Sequence, residues 1–299
     1  MNQSECSVLT LGSAVLDFLF QINILPRTAE KYRADDASII LGGCAANAAT
    51  AITRLGGDAR LLTRLGDDPV GDLIQLALER ENIDTSLVNR RAAGRSPFSS
   101  IFVDGLGERQ IVNFRGSGLV AETDWIRRAP RSDAVLVDTR WPAGALVALE
   151  LAREWGVCGV VDGEAPVDPR LLNAASHIAF SRQGLEHLAK DTNLPRALAS
   201  VTALTDAFLC VTDGDNGVYW FGNGAVLHCP AFEVDVIDTL GAGDVWHGAF
   251  ALRLASGDDE ATAIRYATAA AAIKCRTFGG LTGAPDHAAV AGFLKERGE

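Results

Sequence analysis

The segment with the most chemical content runs from Val234 to Phe250, VDVIDTLGAGDVWHGAF. A strand-like VDVID leads into Thr239, Leu240, Gly241, Ala242, Gly243 and Asp244, and an apolar helical stretch continues to Ala255. Small residues at the start of a helix let backbone N–H groups close on an anion, and the helix dipole adds about half a positive charge at that end. Asp244 falls in the first turn beside this anion hole. One reading is a tight glycine turn with Asp244 as an acidic cap. The other uses the charge: a carboxylate next to a bound phosphate repels it, and is useful there as a base that takes the proton of an attacking hydroxyl.

Competing motifs fail. There is no GK dipeptide and so no P-loop, and neither HExxH nor GxSxG occurs. The GxGxxA match from Gly116 to Ala121 follows a hairpin strand rather than a core strand and has no good acidic partner about twenty residues on, so it is a poor dinucleotide site. The six cysteines, at 6, 44, 158, 210, 229 and 275, are too dispersed for CxxC or zinc-ribbon spacing and read as small apolar fillers of a reducing compartment. No cationic leader and no membrane-length apolar run is seen, which makes the cytoplasm the expected location. A net charge of −11 argues against a nucleic-acid partner. It leaves room for a small anionic substrate, which needs only a few local cations.

These residues need a frame, and 299 residues at 48% hydrophobic can bury a large core. Strand-like runs at Ser7 to Leu11, Asp133 to Asp138, Val157 to Asp162, Ser176 to Phe180 and Phe208 to Thr212 alternate with helical runs such as Ala45 to Leu55, Val70 to Glu81 and Gly144 to Trp155. That rhythm predicts an α/β fold, a mostly parallel sheet with helices on both faces. Two segments break it. FLFQINIL with ASIIL, and PFSSIFVDGLGERQIVNF with a turn near Asp104 to Gly107, are β-rich without intervening helices. They predict a small antiparallel sheet standing off the main one, a lid of segments about 15–41 and 96–116 inserted in a single domain spanning 1–299.

DTLGAGD resembles the DTxGAGD signature of the ribokinase-like, or PfkB, carbohydrate kinases. The resemblance covers nearly the whole chain. GSAVLD places Asp17 where these kinases hold sugar hydroxyls; LGGCAAN, with Gly42, Gly43 and Asn47, resembles their GGxxxN sugar motif; and GDDPVG resembles their GxDxxG turn. VTDGDNG, with Thr212, Gly214 and Gly217, resembles the loop that walls the ATP phosphates and ribose, and the stretch from Gly279 to Pro285, with Gly280, the loop near adenine. The resemblance implies that Asp244 is the catalytic base and that Gly241, Ala242 and Gly243 form the anion hole. It implies ATP with Mg²⁺, a monovalent cation such as K⁺ near Asp238, a β lid closing over the sugar, and a homodimer through the lid. One departure stands out. Where the family carries NxxE, this chain has Ser181 and Gly184, and Glu186 lies roughly 200° further round a helix.

Within the family the closest likeness is to sulfofructose kinases, through EKY, GERQIVNF, VDTRWP, VVDGE and KCRTFGGLTGAP. The expected substrate is then 6-deoxy-6-sulfofructose, phosphorylated at the C1 hydroxyl. Its sulfonate needs cations or amide donors, for which Lys31, Asn113 and Arg140 are the candidates. A neutral-sugar fructokinase, ketohexokinase or ribokinase, or a nucleoside kinase of the same fold, are the alternatives.

Overall fold

Strands that are apolar on both sides must be covered on both sides. The computed structural model, which describes residues 6–298, covers them with two layers of helices. The main sheet has nine strands in the spatial order β13 (Ala225–Cys229), β12 (Val218–Gly222), β11 (Phe208–Thr212), β10 (His177–Ser181), β9 (Cys158–Gly163), β8 (Ala134–Asp138), β1 (Ser7–Leu11), β4 (Asp58–Gly66), β5 (Val88–Arg91). All neighbours are parallel except at the β11–β12–β13 edge. Alternation along each strand feeds two cores. Val8, Leu136 and Val160 join the side of α1 (Cys44–Arg54), α2 (Pro69–Arg80), α7 (Ala242–Ala255), α8 (Glu260–Lys274) and α9 (His287–Glu296). Leu9, Val137 and Val161 join the side of α3 (Pro142–Trp155), α4 (Arg170–Ala174), α5 (Arg182–Ala189) and α6 (Leu194–Val201).

α7 is apolar round most of its circumference and buried from Val245 to Leu252, as a helix wedged between others must be. Its backbone meets α1 closely: a Cβ on Gly248 would lie 2.6 Å from the Ala48 carbonyl oxygen. That approach sets the start of α7 beside the start of α1.

A second sheet has the order β3 (Asp36–Gly42), β2 (Val15–Gln21), β6 (Phe98–Val103), β7 (Arg109–Phe114). Phe20 stacks on Phe102 and Phe98 packs on Phe114 across it. The β6–β7 turn closes between Asp104 and Glu108. The expected antiparallel arrangement needs one correction: β2 and β6 pair in parallel, because each leaves the main sheet in the same direction. From β7, Arg109 reaches across to donate to Asp238 Oδ1 and Thr239 Oγ1, both at 3.0 Å.

The VDVID strand is also corrected. Residues 231–238 belong to neither sheet, since β12 and β13 already occupy that edge. Val236 and Ile237 are exposed, and the N–H groups of Ile237 and Asp238 bond instead to the Cys275 carbonyl at the end of α8.

Candidate active site

The order of the main sheet reverses between β8 and β1, and ligands of open α/β sheets bind outside the carboxyl ends of the strands at such a point. A cavity of about 570 Å³ opens there, between the smaller sheet and the start of α7. Its floor is tightly built. Asp138 accepts from the Ser13 N–H and hydroxyl, both at 2.7 Å, and a Cβ on Gly12 would collide with its carboxyl.

Asp244 lines this cavity from the first turn of α7. Burial, then the neighbouring carboxyl of Asp162, then Glu164 push its pKa up to about 7; the Asn47 hydrogen bond and His247 pull the other way. Asn47 Nδ2 donates to Asp244 Oδ2 at 2.6 Å. The expected sugar ligand of α1 thus spends its amide on the base, which it orients. Asp162 is itself buried with Oδ1 lacking a hydrogen-bond partner, and burial raises its pKa well above the usual carboxylate range. Asp162, Asp244 and Cys44 offer ligand atoms within 4.8 Å of one another. The thiol, raised by burial and by these acids, is a poor ligand for an oxygen-seeking ion such as Mg²⁺. At the turn before α7, Gly241 is left-handed (φ 77°) and the Ala242 N–H donates to the Thr239 carbonyl, so one of the three expected anion donors closes the turn. Gly243 is exposed, and a Cβ there would meet nothing within 4 Å.

Asp17 also lines the cavity, and the glycines before α1 make room for it. A Cβ on Gly42 would lie 2.0 Å from Asp17 Oδ2, and Gly43 has φ 94° with its Cβ direction blocked by the Ser13 carbonyl. Burial raises the Asp17 pKa against a hydrogen bond from Ser99, which also accepts from Asn113 Nδ2 at 2.9 Å. Arg140 is in the cavity but already matched: it pairs with Glu164 and donates to the Ala165 carbonyl. Lys31 is exposed on the β2–β3 connection and does not line the cavity. Two arginines with no acid partner among the described residues do line it, Arg64 and Arg115. Arg64 lies 4.0 Å over the Trp141 ring and donates to the Val120 carbonyl. It escaped the sequence reading because a charged residue in an alternating strand looks like a solvated one; its place at the carboxyl end of β4 is the signal that could have found it.

The expected nucleotide residues lie further along the same sheet edge. Thr212 ends β11 beside Ser181, and Gly214 (φ 56°) and Gly217 (φ 89°) shape the turn that follows. Gly280 lines the cavity near Gly241. The NxxE departure has a steric cause. A Cβ on Gly184 would fall 1.7 Å from the Gly163 carbonyl oxygen, so no carboxylate fits there, and Ser181 Oγ caps α5 by accepting from the Gly184 N–H. The residues present therefore do not fit a protein-held Mg²⁺ at that position. Asp238 does not fit a monovalent metal ion either: both its oxygens already accept from protein donors, and Lys274 stands against it.

Residues 7–287 match the model of the pfkB family of carbohydrate kinases. The fold is similar to a candidate ribokinase from Agrobacterium tumefaciens, with 35% identity, a TM-score of 0.92, and 99% of this chain and 100% of that one covered. A ribokinase of Bacillus subtilis is 25% identical over 93% of this chain and 96% of its own. An ATP-dependent ribose-1-phosphate kinase of Halopiger xanaduensis is 28% identical over 97% and 98%.

Proposed function

The chain belongs to the pfkB family of carbohydrate kinases, and from that premise we propose that it moves the γ-phosphoryl group of ATP to a sugar hydroxyl held against Asp244. The observation that carries this reading is the Asp244 carboxyl, poised near neutrality at the start of α7 in a cavity shared with Asp17. Asp17 holds sugar hydroxyls. The Asp244 carboxylate takes the hydroxyl proton as the sugar oxygen bonds to the γ-phosphorus, the bond to the bridging oxygen breaks, and ADP leaves. Gly241 and Gly243 face the transferred group with backbone N–H donors. Thr212, Gly214, Gly217 and Gly280 serve the nucleotide. Mg²⁺ bound with the nucleotide would neutralise phosphate charge. The smaller sheet acts as a lid that keeps water from the phosphoryl group.

The sugar in this proposal carries an anionic group, with 6-deoxy-6-sulfofructose the first candidate and C1 the acceptor. Arg64 and Arg115, without acid partners in the cavity, support it; Arg140, neutralised by Glu164, is not the cation to expect there. The test compares kcat/KM for sulfofructose, fructose 6-phosphate, fructose, ribose and deoxyribose in the wild type, Arg115→Ala and Asp17→Ala. Arg115→Ala should cost the anionic sugars about tenfold and leave the neutral ones unchanged. Asp17→Ala should cost every sugar roughly 10- to 100-fold without weakening ATP binding. A wild type that prefers ribose, with a ranking indifferent to Arg115, would remove the anionic substrate and leave a neutral-sugar kinase.

The same reading pairs two copies through the lid, where Ile39 and Val112 are 58% and 63% exposed. Light scattering should give the dimer mass, and a monomer mass at working concentration would remove that pairing. All six cysteines are free, which agrees with a reducing cytoplasm. Among the described residues no helix is long and apolar enough to cross a membrane.

A further inference from the structure

Lysine is among the residues least often fully buried, and when it is buried it needs a partner. Lys274, the last residue of α8, is completely buried. Its Nζ donates to the Asp238 carbonyl at 2.8 Å and lies 3.5 Å from Asp238 Oδ2. Asp238 is nearly as enclosed. Oδ1 accepts from the Leu240 N–H at 2.9 Å and from Arg109 at 3.0 Å; Oδ2 accepts from the N–H groups of Gly279 at 3.0 Å and Gly280 at 3.3 Å. One carboxylate and its own carbonyl therefore gather the loop before α7, the turn after α8 and the smaller sheet around a single ammonium.

We propose that the Lys274 ammonium is the resident cation of this turn, standing where a monovalent metal ion would bind beside Asp238, and that it makes the protein independent of K⁺. The inference rests on the kinase reading only for its activity arm. A potassium ion at this position would need the Asp238 carboxylate and nearby carbonyls as ligands. The carboxylate's accepting positions are filled by four donors, its carbonyl is filled by Nζ, and a second cation would sit against both an ammonium and the Arg109 guanidinium. The charges facing Lys274 and Asp238 from the packed elements are Arg109 and, adjoining Lys274 in the chain, the Cys275 thiol, which burial raises and so keeps neutral. Burial pulls the ammonium's pKa below its ordinary value while Asp238 pulls it back. Burial pushes Asp238 up, but the Leu240 N–H, Lys274, the Gly279 N–H and Arg109 together outweigh it and hold the carboxyl below its ordinary value. Lys274 touches no reacting atom. It is a positioning residue, acting on the Gly241–Gly243 turn through Asp238 and Leu240.

The experiment uses the full chain in potassium, sodium and tetramethylammonium chloride at one ionic strength. Thermal melting of the wild type, without any substrate, should be the same in all three salts, and so should kcat with the best sugar of the panel. Lys274→Met, which keeps the apolar stem and removes the charge, should melt lower. It should regain melting temperature and turnover in potassium but not in tetramethylammonium, whereas a lysine that merely filled space would give a variant indifferent to the cation. A wild type that melts higher or turns over several-fold faster in potassium overturns the proposal, even if Lys274→Met does not fold. A protein inactive on every sugar would instead sink the kinase reading, and the melting comparison would still decide the role of Lys274.

Discussion

Asp244→Asn should turn over at least about 10²-fold more slowly than the wild type, the usual scale for a positioned base, and should melt no lower. The amide keeps the size of the carboxyl and can still accept from Asn47 Nδ2, so the contact between α1 and α7 survives. What is lost is the capacity to take a proton. Stability does not suffer, because the folded protein opposes ionisation of this group: with its pKa raised to about 7, the native state holds a proton that the unfolded chain releases near the ordinary value. Folding stability from Asp244 therefore falls as pH rises from about 4 to about 7, and the variant escapes that loss. Activity runs the other way. On the proposed mechanism Asp244 works deprotonated, so kcat/KM of the wild type should decline below about pH 7, and this limb should vanish from the residual rate of Asp244→Asn. Turnover near the wild-type level in the variant would remove Asp244 from the chemistry.

Gly243→Val separates the nucleotide from the fold. At most buried glycines of this chain an added Cβ strikes something; at Gly243 it meets nothing within 4 Å, and the residue has ordinary helical geometry. Valine in a helix costs no more than glycine. The melting temperature should therefore stay at the wild-type value. On the proposed mechanism the side chain would project into the space that the transferred phosphoryl group needs, and kcat/KM for ATP should fall about 10²-fold. Stabilisation of the protein by sugar alone should persist in a thermal shift. Unchanged ATP kinetics would show that no phosphate approaches this turn.

Much of the fold was open to reading because both core periods are printed in the chain. Val8 and Leu9, or Leu136 and Val137, go to opposite cores as strand alternation requires. VDVID misled because an apolar alternation marks extended backbone without saying whether a neighbouring strand is free; here β12 and β13 had taken the edge. The start of α7 was legible because glycine next to an acid before an apolar helix has few uses. Asn47 lines the cavity, but its bond to Asp244 was not legible, since the distance from α1 to α7 depends on Gly248 meeting Ala48, a contact between residues far apart in the chain. Lys274 was invisible: a lysine closing an alanine-rich helix looks like a solvated end. Gly184 read as a missing acid, and the 1.7 Å approach to Gly163 shows that the backbone has taken the space any side chain would need.

Arg109 is carried by the smaller sheet, and its partners Asp238 and Thr239 by the loop that leads into α7. Whatever free energy this bridge contributes is held jointly by two parts of the molecule that, on the proposed function, meet different substrates. A sugar that keeps the sheet down also keeps the loop, and a nucleotide that orders the loop also keeps the sheet. Linkage then requires one factor in both directions: as much as sugar tightens ATP, ATP tightens sugar. The order in which the two arrive can change the path to the ternary complex, and leaves its free energy the same.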